Sequence, residues 1–140
     1  DILTRIIALN EEQDKILSKP ELDDNAFDAN MKAKGDCIDG LDRLDEGFQS
    51  LFNRVRDAIN ANKEMYANEI SIMKRLITEV TELGAKIEVQ EARNKVKVEA
   101  MFRRERQEHK EAKRSASMAK SYYQNMSKMS NEPQFMDAKQ

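Results

Sequence analysis

Apolar residues fall at helical spacing almost from the first position. Ile2, Ile6, Leu9 and Ile16 step by four, three and seven, with Leu3, Ile7 and Leu17 beside them. That period places them on one face of a first amphipathic helix over about 1–18. Ser18-Lys19-Pro20 stops it, because the residue before a proline is pushed out of the helical region. Asp23-Asp24-Asn25 then offers side-chain oxygens to cap a second helix. Its seam reads Phe27, Met31, Ile38, Leu41, Leu44, Phe48, Leu51/Phe52, Val55 and Ile59. The steps are threes and fours, the seam of a supercoiled bundle.

A third pattern follows in Tyr66, Ile70, Met73, Leu76/Ile77, Val80, Leu83, Ile87, Val98 and Met101. The phase passes from the second pattern to the third without a slip, so residues 24–112 could form one uninterrupted helix in a dimer. Asn60 and Asn62 argue against that, since Asn is a poor helix-interior residue. Folding back also buries the stripes within one chain. A turn at 60–64 is therefore predicted, giving helices over about 24–60 and 64–112. From Gln90 onward the seam turns polar, with Gln90, Asn94 and Lys97 in the core phase. The strongly charged stretch MFRRERQEHKEAKR, residues 101–114, follows. This part is expected to project beyond the bundle or to pack on one side only. In the last segment Met118, Tyr122, Met126 and Met129 step by four, four and three, and Tyr123 flanks them. They define a C-terminal amphipathic helix over about 114–130, stopped at Asn131-Glu132-Pro133, with Phe135-Met136 as a short apolar hook. The predicted fold is all-α: an elongated antiparallel bundle over 1–112, then a detachable C-terminal helix and tail over 113–140.

Composition fits that picture. Of 140 residues 36% are charged, Gly and Pro together number six, and Trp is absent. Such a chain suits long helices packed along narrow seams. Gly35, Gly40 and Gly47 each cost about 1 kcal/mol of helix propensity relative to Ala; they either let a neighbouring helix approach closely or are neutral surface choices. No run reaches the roughly 18 apolar residues of a membrane span, and no signal peptide is evident. The chain opens at Asp1 in mid-pattern, which leaves room for residues upstream. The net charge of −2 conceals an asymmetry: residues 1–92 carry 12 Lys/Arg against 20 Asp/Glu, and residues 93–140 carry 12 against 6. The two parts attract each other, the basic end faces an acidic partner, or the gradient is incidental to solvated faces.

Chemistry is sparse. Gly35 and Gly40 have the glycine spacing of a phosphate-binding loop, but Leu41 and Asp42 stand where Lys and Ser/Thr are required. Asp36, Asp39, Asp42 and Asp45 resemble a metal-binding row. Steps of three on a helix drift by about 60° each, so the carboxylates spiral apart as a solvated face. A calcium loop needs oxygen ligands where Leu41 and Arg43 stand. His109, the only histidine, lies among Arg and Glu, and Cys37, the only cysteine, sits beside the seam as a small buried filler. These residues assemble no metal site, cofactor site or catalytic set, and the chain is read as a non-enzyme. Glu105, Glu108 and Glu111 interrupt the basic stretch and blunt phosphate affinity, which argues against nucleic acid.

Taken together, LNEEQDKILS, the FDANMKAKGDCIDGLDRLDEGF rhythm, YANEISIMKRLITEVTELGAKIEVQEARNKV, SYYQNM and the ending QFMDAKQ resemble flagellar export chaperones of the FlgN and FliT kind, particularly those of Gram-positive bacteria. The resemblance spans nearly the whole chain. It implies a cytoplasmic helical bundle that binds the amphipathic terminal helix of a hook-associated or filament-cap protein. Such a chaperone prevents premature assembly and delivers its cargo to the type III export apparatus, with the export ATPase or export gate as further partners. It also implies that the C-terminal helix can restrain the cargo groove. On that reading Val80, Leu83, Ile87, Val98 and Met101 are the groove candidates, and Met118, Tyr122, Tyr123, Met126, Met129 and Phe135 are partner-binding or gating residues. The alternative is a structural coiled-coil or scaffold protein whose stripes drive permanent self-association, with a homodimer as its simplest form.

Overall fold

The structure, a computed structural model, describes the backbone of residues 1–131 and the side chains up to Met126. The described residues form three helices and no strand: α1 (Ile2–Leu17), α2 (Asp24–Ala61) and α3 (Ala67–Asn131). By contact the chain forms two compact units, Asp1–Glu99 and Ala100–Gln140. The sequence pattern put that division at 112/113.

Each boundary has a local cause. The Ser18 hydroxyl donates to the Asp14 carbonyl at 2.6 Å, and Pro20 follows. The Asp23 carboxylate accepts from the Ala26 amide at 3.0 Å, which satisfies one of the four donors that a helix start leaves without partners. α2 ends at its C-cap Asn62, whose side chain donates to the Ala58 carbonyl at 3.2 Å. The Asn62 carbonyl accepts from the Met65 and Tyr66 amides at 3.0 and 3.2 Å, closing a turn over residues 62–66. A turn is thus present two residues beyond its predicted place, and the single helix over 24–112 does not form. The turn sends α3 back beside α2. Lys34 of α2 meets Glu91 of α3 at 2.7 Å, at nearly equal sequence distances from the turn.

There is no separate C-terminal helix among the described residues, because α3 passes through 112–114 unbroken. The charged stretch is built mostly of Arg, Glu, Gln, Lys and Ala, all strong helix formers, and no Gly or Pro lies between Gly84 and Pro133. A seam that stops being apolar does not stop a helix.

The core of the first unit sits where α1 lies against the N-terminal half of α2 and the 86–97 stretch of α3. Its length explains its extent. At 1.5 Å per residue, α1 is about 24 Å long and α2 about 57 Å. Ile2, at the start of α1, reaches Gly40, where an added Cβ would lie 3.2 Å from its Cδ1. Close approach therefore holds at Gly40 alone, since a Cβ at Gly35, Gly47 or Gly84 would meet nothing within 4 Å. Beyond Gly40 no third helix from the first unit covers the hairpin.

Candidate functional site

The interior beneath α1 is polar. Ile6, Ile7, Ile16 and Cys37 are its buried apolar residues, while Asn10, Gln13, Asn30, Lys34, Gln90 and Asn94 are buried as well. Asn10 and Asn94 are 0% and 1% exposed. Gln90 and Asn94, polar residues in the core phase of the third pattern, are buried because α1 brings carboxamides to meet them. Asn94 Nδ2 donates to the Asn10 carbonyl at 2.8 Å and to Gln13 Oε1 at 3.1 Å. Lys34 Nζ donates to the same Gln13 oxygen at 3.2 Å. Asn10 Nδ2 donates to Gln90 Oε1, and Gln90 Nε2 to the Ile7 carbonyl, both at 3.4 Å. From α2, Asn30 Nδ2 donates to the Leu9 carbonyl at 2.9 Å and to Glu12 at 3.3 Å. The Oδ1 atoms of Asn10, Asn30 and Asn94 are buried with no hydrogen-bond partner.

A charged edge flanks the polar core. Lys86 faces Glu11 at 3.9 Å, and Arg93 and Lys97 reach Asp14 at 3.6 and 2.5 Å. Lys97 also donates to the Ser18 hydroxyl at 2.9 Å. The Asp14 carboxyl is held below its ordinary value, chiefly by the Lys97 hydrogen bond and against the desolvation that opposes it, with the Lys97 and Arg93 charges assisting. Basic residues on α3 at spacings of seven and four thus meet an acidic edge of α1.

Past Gly40 the character reverses. Leu44, Phe48, Leu51 and Phe52 on α2, and Ile72, Leu76, Ile77 and Val80 on α3, are exposed to between 36% (Phe52) and 61% (Leu44). At 100° per residue the four α2 positions fall within an arc of about 100°. The Phe48 and Phe52 rings stack with centroids 6.0 Å apart and planes at 18°. Apart from Ile72, which lies off the seam, the sequence pattern assigned these residues to the core, as it did Met31 and Ile38, which are also exposed. A core assignment needs a third surface, and α1 is too short to supply it. Contiguous exposed apolar stripes mark interaction sites in folded proteins.

The predicted site residues divide accordingly. Of the groove candidates, Val80 is open, Leu83, Ile87 and Val98 are half-buried, and Met101 is buried, so the five do not form one accessible groove. The open apolar surface lies nearer the turn, on residues with the same seam phase. In the second unit Met118, Tyr122, Tyr123 and Met126 are between 52% and 70% exposed. The two Tyr rings meet edge to face at 5.6 Å. Met129 lies on α3 beyond the described side chains, and Phe135 and the Pro133 stop lie outside the described residues. Cys37 is buried, as its place beside the seam predicted. No group of three metal-ligating side chains comes together among the described residues, and no helix among them is long and apolar enough to cross a membrane.

Fold and site define a class: an all-helical protein with a small polar-cored three-helix region and an apolar-striped helical hairpin beyond it. Compared with known protein families, with curated proteins and with solved structures, the chain finds no match.

Proposed function

We propose that this protein is a cytoplasmic, non-enzymatic flagellar export chaperone of the FlgN/FliT kind. Its hairpin stripes hold the amphipathic terminal helix of a hook-associated or filament-cap protein until secretion. One observation carries the reading: eight large apolar side chains on α2 and α3 stay exposed because α1 is too short to cover them. An amphipathic helix laid on apolar residues at i, i+4 and i+7/i+8 spacing is a recurring recognition mode, and burying such side chains is worth about 25 cal/mol per Å² of apolar surface. The sequence resemblance supplies the nature of the cargo. Delivery to the export ATPase or export gate belongs to the same reading.

The test is calorimetric titration of terminal segments of hook-associated and filament-cap proteins from the source organism into the full chain. One segment is expected to bind 1:1, at least tenfold more weakly to a Phe48→Ala/Leu76→Ala variant. No binding by any such segment would sink the proposal. An assembly held through the stripes that survives dilution, seen by light scattering, would replace it with permanent self-association. Removing residues 115–140 then assigns the Met/Tyr segment: tighter binding makes Met118, Tyr122, Tyr123 and Met126 a restraint on the site, and weaker binding makes them part of it.

A further inference from the structure

The trough beneath α1 is a helix-binding site in its own right. Of the inter-helix bonds described above, Lys34–Glu91 alone lacks α1 at one end. Part of the grip falls on the α1 backbone: Gln90, Asn30 and Asn94 donate to the carbonyls of Ile7, Leu9 and Asn10. Gln13 seats the centre of the helix between Lys34 and Asn94. The acidic edge of Glu11 and Asp14 sets its rotation against Lys86, Arg93 and Lys97.

We propose that this trough, formed by α2 residues 24–40 and α3 residues 83–98, also accepts α1 from a second copy of the chain, so that two molecules exchange their first helices reciprocally. Three features lead there. First, the interior that opens is largely polar, with Asn10, Gln13, Asn30, Lys34, Gln90 and Asn94 buried, and opening returns their polar groups to water. A carboxamide core therefore opens at less cost than an apolar core of equal size. Second, α1 joins α2 through the six residues Ser18–Asp23, which include Pro20, so the helix leaves as a unit and α2 keeps its Asp23 cap. Third, the second copy's α1 presents the same Ile6, Ile7, Asn10, Gln13 and Ile16 face and the same acidic edge. Every contact of the closed form is thus remade in the exchanged one, and only the hinge conformation differs. Exchange of an identical element is a low-cost route to a dimer.

The experiment mixes two differently tagged populations of the full chain at high concentration and follows formation of a mixed species by affinity capture and light scattering. A mixed dimer is expected to form slowly and to persist in a Phe48→Asp/Leu76→Asp variant. It should form roughly tenfold faster in Asn94→Ala, where the grip on the Asn10 carbonyl and Gln13 is lost. A Ser18→Ala/Pro20→Ala/Asp23→Ala variant removes the helix stop and the cap, which extends α1 into α2. It is expected to be wholly dimeric with α1 amides as protected as in the monomer. No mixed species, or one that the stripe variant abolishes, would overturn the proposal. Hydrogen exchange on the unaltered chain gives a readout independent of any variant. The α1 amides should exchange together, faster than those of α2 24–40, with protection falling as salt rises. Equal protection of the two helices would also overturn it.

Discussion

At Gly35, Gly47 and Gly84 an added methyl group would meet no heavy atom within 4 Å. Each glycine stands inside a helix, where Ala is favoured by about 1 kcal/mol. Gly35→Ala, Gly47→Ala and Gly84→Ala are therefore expected to raise stability by about 1 kcal/mol apiece in urea denaturation. Gly40→Ala should gain less, because its Cβ would press on Ile2 Cδ1 at 3.2 Å and the end of that side chain must shift. Asp14 makes a second residue-scale prediction. Its folded-state value is lowered from 3.8, so its contribution to stability is present above that value and is lost as pH falls through the lower one. Stability followed by circular dichroism should decline as pH drops below 3.8. Asp14→Asn should lower stability at neutral pH and flatten the decline.

Among the elements, α1 makes the strongest demand on the sequence, and it was only partly legible there. Its apolar period, the Pro20 stop and the Asp23 cap all follow from local chemistry and stand as expected. The polar core was signalled less directly. The α1 seam skips from Leu9 to Ile16, the α2 seam from Met31 to Ile38, and the α3 seam from Ile87 to Val98. Gln13, Lys34, Gln90 and Asn94 occupy those gaps in the core phase. Periodicity marks each gap separately, but only helix pairing brings them to one level. Breaking such a network and replacing it have opposite effects. Asn94→Ala is expected to cost about 1–3 kcal/mol, because buried partners lose their donor. The triple change Gln13→Leu, Lys34→Met and Asn94→Leu is expected to be neutral or stabilising by up to about 4 kcal/mol, as for buried charged groups exchanged for apolar ones of similar size. The same triple variant should lose its defined association state in light scattering, since polar layers fix register and partner number.

For the molecule as a whole, the two kinds of surface predict opposite responses to mutation. Phe48→Ala and Leu76→Ala remove side chains about half exposed, so each should change unfolding stability by no more than about 1 kcal/mol. Both should nonetheless weaken capture of an amphipathic helix, and a denaturation curve set beside a titration separates the two effects. By itself the sequence determined the all-helical class, the three helical stretches, the stop at Pro20 and a turn close to Asn62. These rest on interactions within a few residues: hydrogen-bond periodicity, capping and helix propensity. Tertiary structure alone decided which apolar stripes are buried, since burial depends on whether another element is long enough to lie on them. It placed Gln90 and Asn94 inside and left Leu44, Phe48 and Leu76 outside. The continuation of α3 past the predicted break is local in origin, since helix propensity persists where the packing pattern ends.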